Sequence, residues 1–483
     1  MHTRHLLTRH LLALLLLTIP GVPAQGLPEL GEPSQAAFTP SQEHLLGRSI
    51  MREARRDPTY YDDAEVTDYI SRVGNRLAAR GSDVRQEFEF FMMRDPQINA
   101  FALPGGFIGV HTGLIMAAQS ESEMAGVVAH EISHVTQRHI ARMINNQQSN
   151  QWLEIAALAL AILAARSNSQ VAEAAAAIGP ALAVQQQLNF SRDFEREADR
   201  IGLQLLEKAG FDPQGMGQFF ERLQRATRIY EGGAPSYLRT HPVTFERIAD
   251  MQNRAQELRY RQVPDSMDFH LVRAKMKAAF DAPRDAVAYY RDSLAEKRYL
   301  SEGGARYGLT AALLRMREVP AAWKEFSALN ALVKGNPMVD TLGCRIRLAG
   351  GDPEAFKCFR IALQAHPGYR ALIYEYTEAL LQSRQAEAAM KIVDSALASY
   401  PDDHRLYLLQ ARAYALLNRR LAVHRSQAEA YARMGSTGAA IEQLQIGLKA
   451  GDGDYYQLSA AEARLRQLRM LDAEERKDNA RKK

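Results

Sequence analysis

Two histidines four residues apart enclose a carboxylate in His130-Glu131-Ile132-Ser133-His134, and the stretch before them, Ala125-Gly126-Val127-Val128-Ala129, is apolar and helix-forming. On an α-helix residues four apart share a face, so both imidazoles can grip one ion while the glutamate between them stands beside the open coordination position. The pattern therefore calls for a buried helix, where access of water is controlled. It also obliges a distant segment to supply a third donor, because a catalytic zinc takes three protein ligands and keeps one position free. A core helix carrying two histidines by chance accounts for neither the spacing nor the intervening carboxylate.

The third donor is sought in Ser191-Arg192-Asp193-Phe194-Glu195-Arg196-Glu197-Ala198-Asp199. Glu195 and Asp199 are four apart and share a helix face, so one can bind the metal while the other hydrogen-bonds the outer nitrogen of a ligand histidine and fixes its tautomer. Glu197 falls on a different face. Taken alone the segment could be a solvated charged helix, but Ala198 and Gly202 permit close packing against a partner. His241 precedes Pro242, with Arg247 on the helix that follows, and three readings stay open. It stabilises the developing oxyanion, it fills the fourth coordination position and holds the site latent, or it starts a helix with its ring packed on the domain. His139, five past His134, lies off the ligand face and reads as structural; His111 has no assigned role.

The rest of the chain frames this site. Arg4 and Arg9, the apolar run Leu11 to Ile19 and the small residues Val22-Pro23-Ala24 read as a signal peptide over residues 1–24, too short for the ~20 residues that span a bilayer. Export of this kind points to the periplasm, and no cysteine near the cleavage point invites a lipid. Residues 25–40 are a Pro- and Gly-rich lead-in. Residues 41–79 carry helical periodicity, 87–93 alternate as a strand, and Asn99 to Val110 reads strand, Pro104-Gly105-Gly106 turn, strand, before a helix capped by Ser120 or Ser122. The Ala/Leu/Ile-rich segment 152–184, inside a region of 41–265 that holds the histidine pair, is either a pair of buried helices or an apolar cover over the site that touches membrane or unfolded substrate.

From Phe269 the chain becomes a succession of amphipathic helices. Asn336-Pro337, His366-Pro367 and Tyr400-Pro401 open successive units, and Pro367 to Pro401 is 34 residues, the tetratricopeptide period. A repeat array over 269–475 is expected, followed by a loose charged tail at 476–483. Cys344 and Cys358 stand almost equally far from the turn Gly350-Gly351-Asp352-Pro353, so they either pair as a disulfide across a helical hairpin or serve as small buried hydrophobes. A formal net charge of +4 on 483 residues demands no basic face, and nucleic acid is not an expected partner.

With these pieces in place, the chain resembles the zinc metallopeptidase family of the CAAX prenyl proteases and HtpX, and within it the exported beta-barrel assembly-enhancing branch. The resemblance rests on Asn99-Ala100-Phe101-Ala102-Leu103-Pro104-Gly105-Gly106, the run from His130 to His139, Ser191-Arg192 through Asp199-Arg200-Ile201-Gly202, and Thr240-His241-Pro242. It covers about Ser41 to Met251, and the signal peptide and repeats extend it. It implies a mainly α fold: a gluzincin-type α+β metallopeptidase domain with a small sheet, then an α-helical tetratricopeptide array. It implies one Zn2+ held by His130, His134 and Glu195, Glu131 as general base, and Asp199 as the residue that orients a ligand histidine. It implies a periplasmic endopeptidase with a chaperone-like role on misfolded or stalled outer-membrane beta-barrel proteins, its repeats engaging the barrel assembly machinery; peripheral membrane contact is expected only if residues 152–184 form the apolar cover. The strand near Phe101 to Leu103 would pair with extended substrate if it is an edge. The rival expectation is a mainly non-proteolytic chaperone or scaffold whose zinc site is kept latent by His241 or by residues 152–184; a purely structural zinc site is a third.

Overall fold

A computed structural model gives the fold and describes residues 38–81, 86–146, 192–227, 236–258 and 263–481. The expected signal peptide, nearly all of the lead-in and the apolar segment 152–184 lie outside the described residues.

Helix α1 (Pro40–Ala54) starts in a reciprocal cap, in which Thr39 accepts from the Gln42 N–H and the Gln42 side chain accepts from the Thr39 N–H. Helix α2 (Ala64–Ala78) is capped by Asp63, whose carboxylate takes the N–H groups of Glu65 and Val66. The sheet follows, with β1 (Glu89–Met93), β2 (Ala100–Leu103) and β3 (Phe107–His111) in the order β1-β3-β2. β1 runs parallel to β3 and β2 antiparallel to it, so β2 is an edge strand of this sheet. Gly105 and Gly106, at φ 82° and 92°, make the reversal between β2 and β3 in a region that side chains disfavour.

After α3 (Thr112–Ala117) the chain enters α4 (Glu121–Thr136), which carries the histidine pair. Ser120 caps it by accepting from the Glu123 N–H, and Glu123 in turn accepts from the Gln119 N–H at 2.6 Å. Every residue from Glu121 to His134 is buried, so the helix passes through the core. Around it stand α2, β2, α6 (Arg192–Ala209) and α7 (Gln214–Thr227), with α5 (His139–Asn146) doubling back from its C-terminal end. The crossing of α4 and α6 is close because of Gly202, where an added Cβ would lie 3.3 Å from the His130 nitrogen and 2.8 Å from Met216 Cε. The short α8 (Ser236–Thr240) and α9 (Phe245–Glu257) complete this part.

Helix α10 (Met267–Phe280) opens a run of antiparallel helices to the C-terminus. Left-handed residues at Arg317, Gly351, Arg384, Asn418 and Gly451 recur every 33 or 34 residues and turn one helix of each hairpin into the next. Cys344 and Cys358 form a disulfide across one of these turns, with their Cα atoms 5.5 Å apart. The last helix, Tyr455–Arg481, carries regular backbone into the segment expected to be a loose tail, because nothing in the sequence after Tyr455 breaks it. The main hydrophobic core runs without interruption from Val66 to Ile346, through the peptidase helices and into the first hairpins. No helix among the described residues is long and apolar enough to cross a membrane.

Candidate active site

The close packing of α4 on α6, together with the turn after α8, brings His130, His134, Glu195 and His241 to one point, where one donor atom from each lies within 4.8 Å of all the others. His130 Nε2 and His134 Nε2 are 3.0 Å apart. Glu195 Oε2 stands 3.5 Å from His130 Nε2, and Oε1 stands 3.4 Å from His134 Nε2. His241 Nδ1 is 2.9 Å from Glu195 Oε1 and 3.4 Å from His130 Nε2. All four residues are buried.

Of the two carboxylates considered for the third donor, the structure turns Glu195 toward the imidazole pair and Asp199 toward the back of it. Asp199 Oδ1 lies 3.0 Å from His130 Nδ1, and Arg247 grips Asp199 with two contacts of 2.8 Å. The same guanidinium reaches the Pro242 carbonyl at 2.7 Å and Glu195 Oε2 at 2.7 Å. Arg247 thus ties the metal-facing glutamate, the outer carboxylate and the His241-Pro242 turn into one unit. Sequence reasoning placed Arg247 on the right helix but gave it no role.

His139 stays outside the metal-facing set but touches it from behind. Counting five residues along an unbroken helix puts it off the ligand face, yet its Nδ1 lies 2.8 Å from His134 Nδ1. The reason is local: α4 ends at Thr136 and Arg138 takes φ 51°, which folds α5 back over the helix end. His139 Nε2 then meets Glu197 Oε2 at 3.2 Å, so Glu197, on a separate face of α6, also joins the surroundings of the site. His111 stays outside the cluster, beside Asp95 at 3.5 Å.

Electrostatics divide the cluster into donors and a base. Burial works against ionisation of Glu195, but His241, His130 and His134 hold its carboxyl well below the usual range. Burial likewise opposes Asp199, and His130 and Arg247 keep it low. Burial pushes His134 well below the ordinary histidine value. For His130 burial is outweighed by Asp199 and Glu195, which lift it to about 9. Burial also lowers His139, to about 4, against the pull of Glu197.

Glu131 differs from these. Burial raises its carboxyl above the ordinary value, with His241 and His130 pulling the other way. Neither oxygen has a hydrogen bond of normal geometry among the described residues, and His241 Nε2 stands 3.7 Å from Oε1. The Tyr237 hydroxyl is also buried without a hydrogen bond among the described residues, while its ring stacks on His241 at 4.8 Å. Two imidazoles and an ionised carboxylate form the donor set of a catalytic zinc site, and Glu131 lies buried beside them. The residues fit a divalent metal.

Comparison with known proteins agrees with that chemistry. Residues 64–255 match the family described as Peptidase family M48, and residues 353–413 match a tetratricopeptide repeat. The chain is 33% identical over 446 residues to the Beta-barrel assembly-enhancing protease of Escherichia coli O157:H7, covering 92% of this chain and 91% of that one. It is 32% identical over 451 residues to the protein of the same name from Yersinia pestis, covering 93% and 92%. It is also 32% identical over 207 residues to the Mitochondrial metalloendopeptidase OMA1 of Schizosaccharomyces pombe, covering 42% of this chain and 57% of that one.

Proposed function

The chain belongs to peptidase family M48 and joins its metallopeptidase region to tetratricopeptide repeats, and from that premise we propose that it is a periplasmic zinc endopeptidase acting on misfolded or stalled outer-membrane beta-barrel proteins. The observation that carries the zinc site is the convergence of His130, His134, Glu195 and His241 beside a buried Glu131. When bound there, zinc would polarise the scissile carbonyl and make water acidic enough to attack it. Glu131 takes the proton from the attacking water and passes it to the leaving amine, a task suited to a carboxyl whose affinity for protons is raised by burial. Asp199, braced by Arg247, holds His130 with its proton on Nδ1 and its Nε2 free to bind. The edge strand β2 offers its backbone to an extended peptide, which favours unfolded segments over a strict sequence.

His241 is the fourth donor in this reading and holds the site latent, since it lies between Glu195 and Glu131 where the water and the substrate carbonyl must enter. Once displaced it is placed to stabilise the oxyanion. This contact also favours the second reading, a chaperone or scaffold that cleaves rarely. The same reading assigns residues 41–265 to the peptidase domain and 269–475 to the repeats. The cleft of about 1020 Å3 where the repeats face β1 and the β2–β3 turn, lined by arginines, carboxylates and tyrosines, would receive the substrate or the barrel assembly machinery. The disulfide between Cys344 and Cys358 supports an exported location, because such bonds persist in oxidising compartments.

Cleavage of casein and of an unfolded outer-membrane barrel protein by the full chain tests the proposal. Glu131→Gln should retain zinc and lose about 10²- to 10⁴-fold in rate. His241→Ala should cleave faster than the unaltered protein if it is a latch. Full cleavage by Glu131→Gln would overturn the mechanism, and full biological activity without cleavage would favour the scaffold.

A further inference from the structure

The two metal-facing imidazoles are backed differently. His130 leans on a carboxylate, Asp199, whereas His134 leans on another imidazole. His134 Nε2 faces His130 and Glu195, so its Nδ1 points away from the metal position and meets His139 Nδ1 at 2.8 Å. His139 is fully buried and lies flat on Phe194, ring centroids 4.5 Å apart at 10°. Behind it, Glu197 Oε2 takes both His139 Nε2 at 3.2 Å and Arg142 Nη1 at 2.8 Å.

Two ring nitrogens at this separation share a single proton. A nitrogen that binds metal carries none, so His134 keeps its proton on Nδ1 and His139 Nδ1 must accept it. His139 then holds its own proton on Nε2, where the Glu197 carboxylate accepts it. We propose that His139 is a positioning residue for the metal site: it fixes the tautomer and ring plane of His134, and Glu197, anchored by Arg142, fixes the tautomer of His139. The inference rests on the metal-site reading above. Its consequence is an asymmetric pair, because a neutral ring draws less on an N–H than a carboxylate does, leaving His134 a poorer electron donor to the metal than His130.

Zinc affinity of the full chain, measured by competition with a chelating dye, tests this without relying on catalysis. His139→Phe keeps the stack on Phe194 but removes the acceptor, and should bind zinc about 10- to 100-fold more weakly. His139→Asn, whose amide oxygen can replace Nδ1, should regain most of the affinity, which a merely structural residue would not require. Unchanged affinity in His139→Phe overturns the proposal, and so does His139→Asn binding as weakly as His139→Phe. Should the variants fail to fold, ring 15N shifts of the zinc-loaded unaltered chain decide: a proton on Nε2 of His139 is expected, and a proton on its Nδ1 overturns the proposal. Failure of the unaltered chain to bind zinc at all would instead sink the metal reading itself.

Discussion

His130 enters the metal-free site as a protonated ring, lifted to about 9 by Asp199 and Glu195. Metal must displace that proton, so zinc affinity should rise about tenfold per pH unit from pH 7 and level off near pH 9. The sign for folding is opposite. A histidine raised above its unfolded value of 6.5 stabilises the metal-free protein fully below that value, and the contribution is lost as pH rises through about 9. Chelator competition across this range checks the first statement, and thermal unfolding of the metal-free chain checks the second. Asp199→Asn should weaken zinc by about 10- to 100-fold through His130; an unchanged constant in the same titration would remove Asp199 from the site. The four-residue spacings of His130 with His134 and of Glu195 with Asp199 made these groups legible, since each pair rides one helix. His139 was not legible, because the spacing rule assumes a helix that continues past Thr136. Arg247 was not either, since nothing local in the sequence joins it to a carboxylate 48 positions earlier.

Among the elements, α4 and α6 decide whether the donors meet. Their closeness depends on Gly202, whose hydrogen faces the His130 backbone. Gly202→Val would push the helices apart, costing about 1–3 kcal/mol. A lowered unfolding midpoint together with weaker zinc binding is the expected result, and normal zinc binding would mean that the crossing tolerates the added bulk. The small residues on α6 and the apolar run before His130 announced this packing in the sequence. The glycine turn between β2 and β3 was equally plain. That β2 is an edge strand was not, because edge or interior position is a matter of which strand pairs with which. The repeats were visible through prolines that open each unit, and the left-handed turn residues recur at the same period.

For the whole molecule, α2 is the seam. Lys275 from α10 pairs with Asp63 and Glu65, Tyr369 reaches Glu65 at 3.2 Å, and Arg370 grips Asp68 from the repeats. Glu65 is buried here and Lys275 half-buried, so Lys275→Met leaves Glu65 without its cation and should cost about 1–3 kcal/mol, read as a drop in the unfolding midpoint. Adding Glu65→Gln should recover part of that loss; no recovery would mean that the pair is not coupled. The sequence announced a change of character at Phe269, but contacts across 210 positions leave no local trace, and neither does a core that continues from Val66 to Ile346.

The central claim is that two imidazoles and Glu195 hold one divalent ion. Anomalous diffraction at the zinc edge, on crystals of the metal-loaded full chain, addresses it most directly. One peak per chain is expected, about 2.0–2.2 Å from His130 Nε2, His134 Nε2 and a Glu195 oxygen. A loaded protein whose peak lies elsewhere, or whose Glu195 stays outside bonding distance, would contradict it.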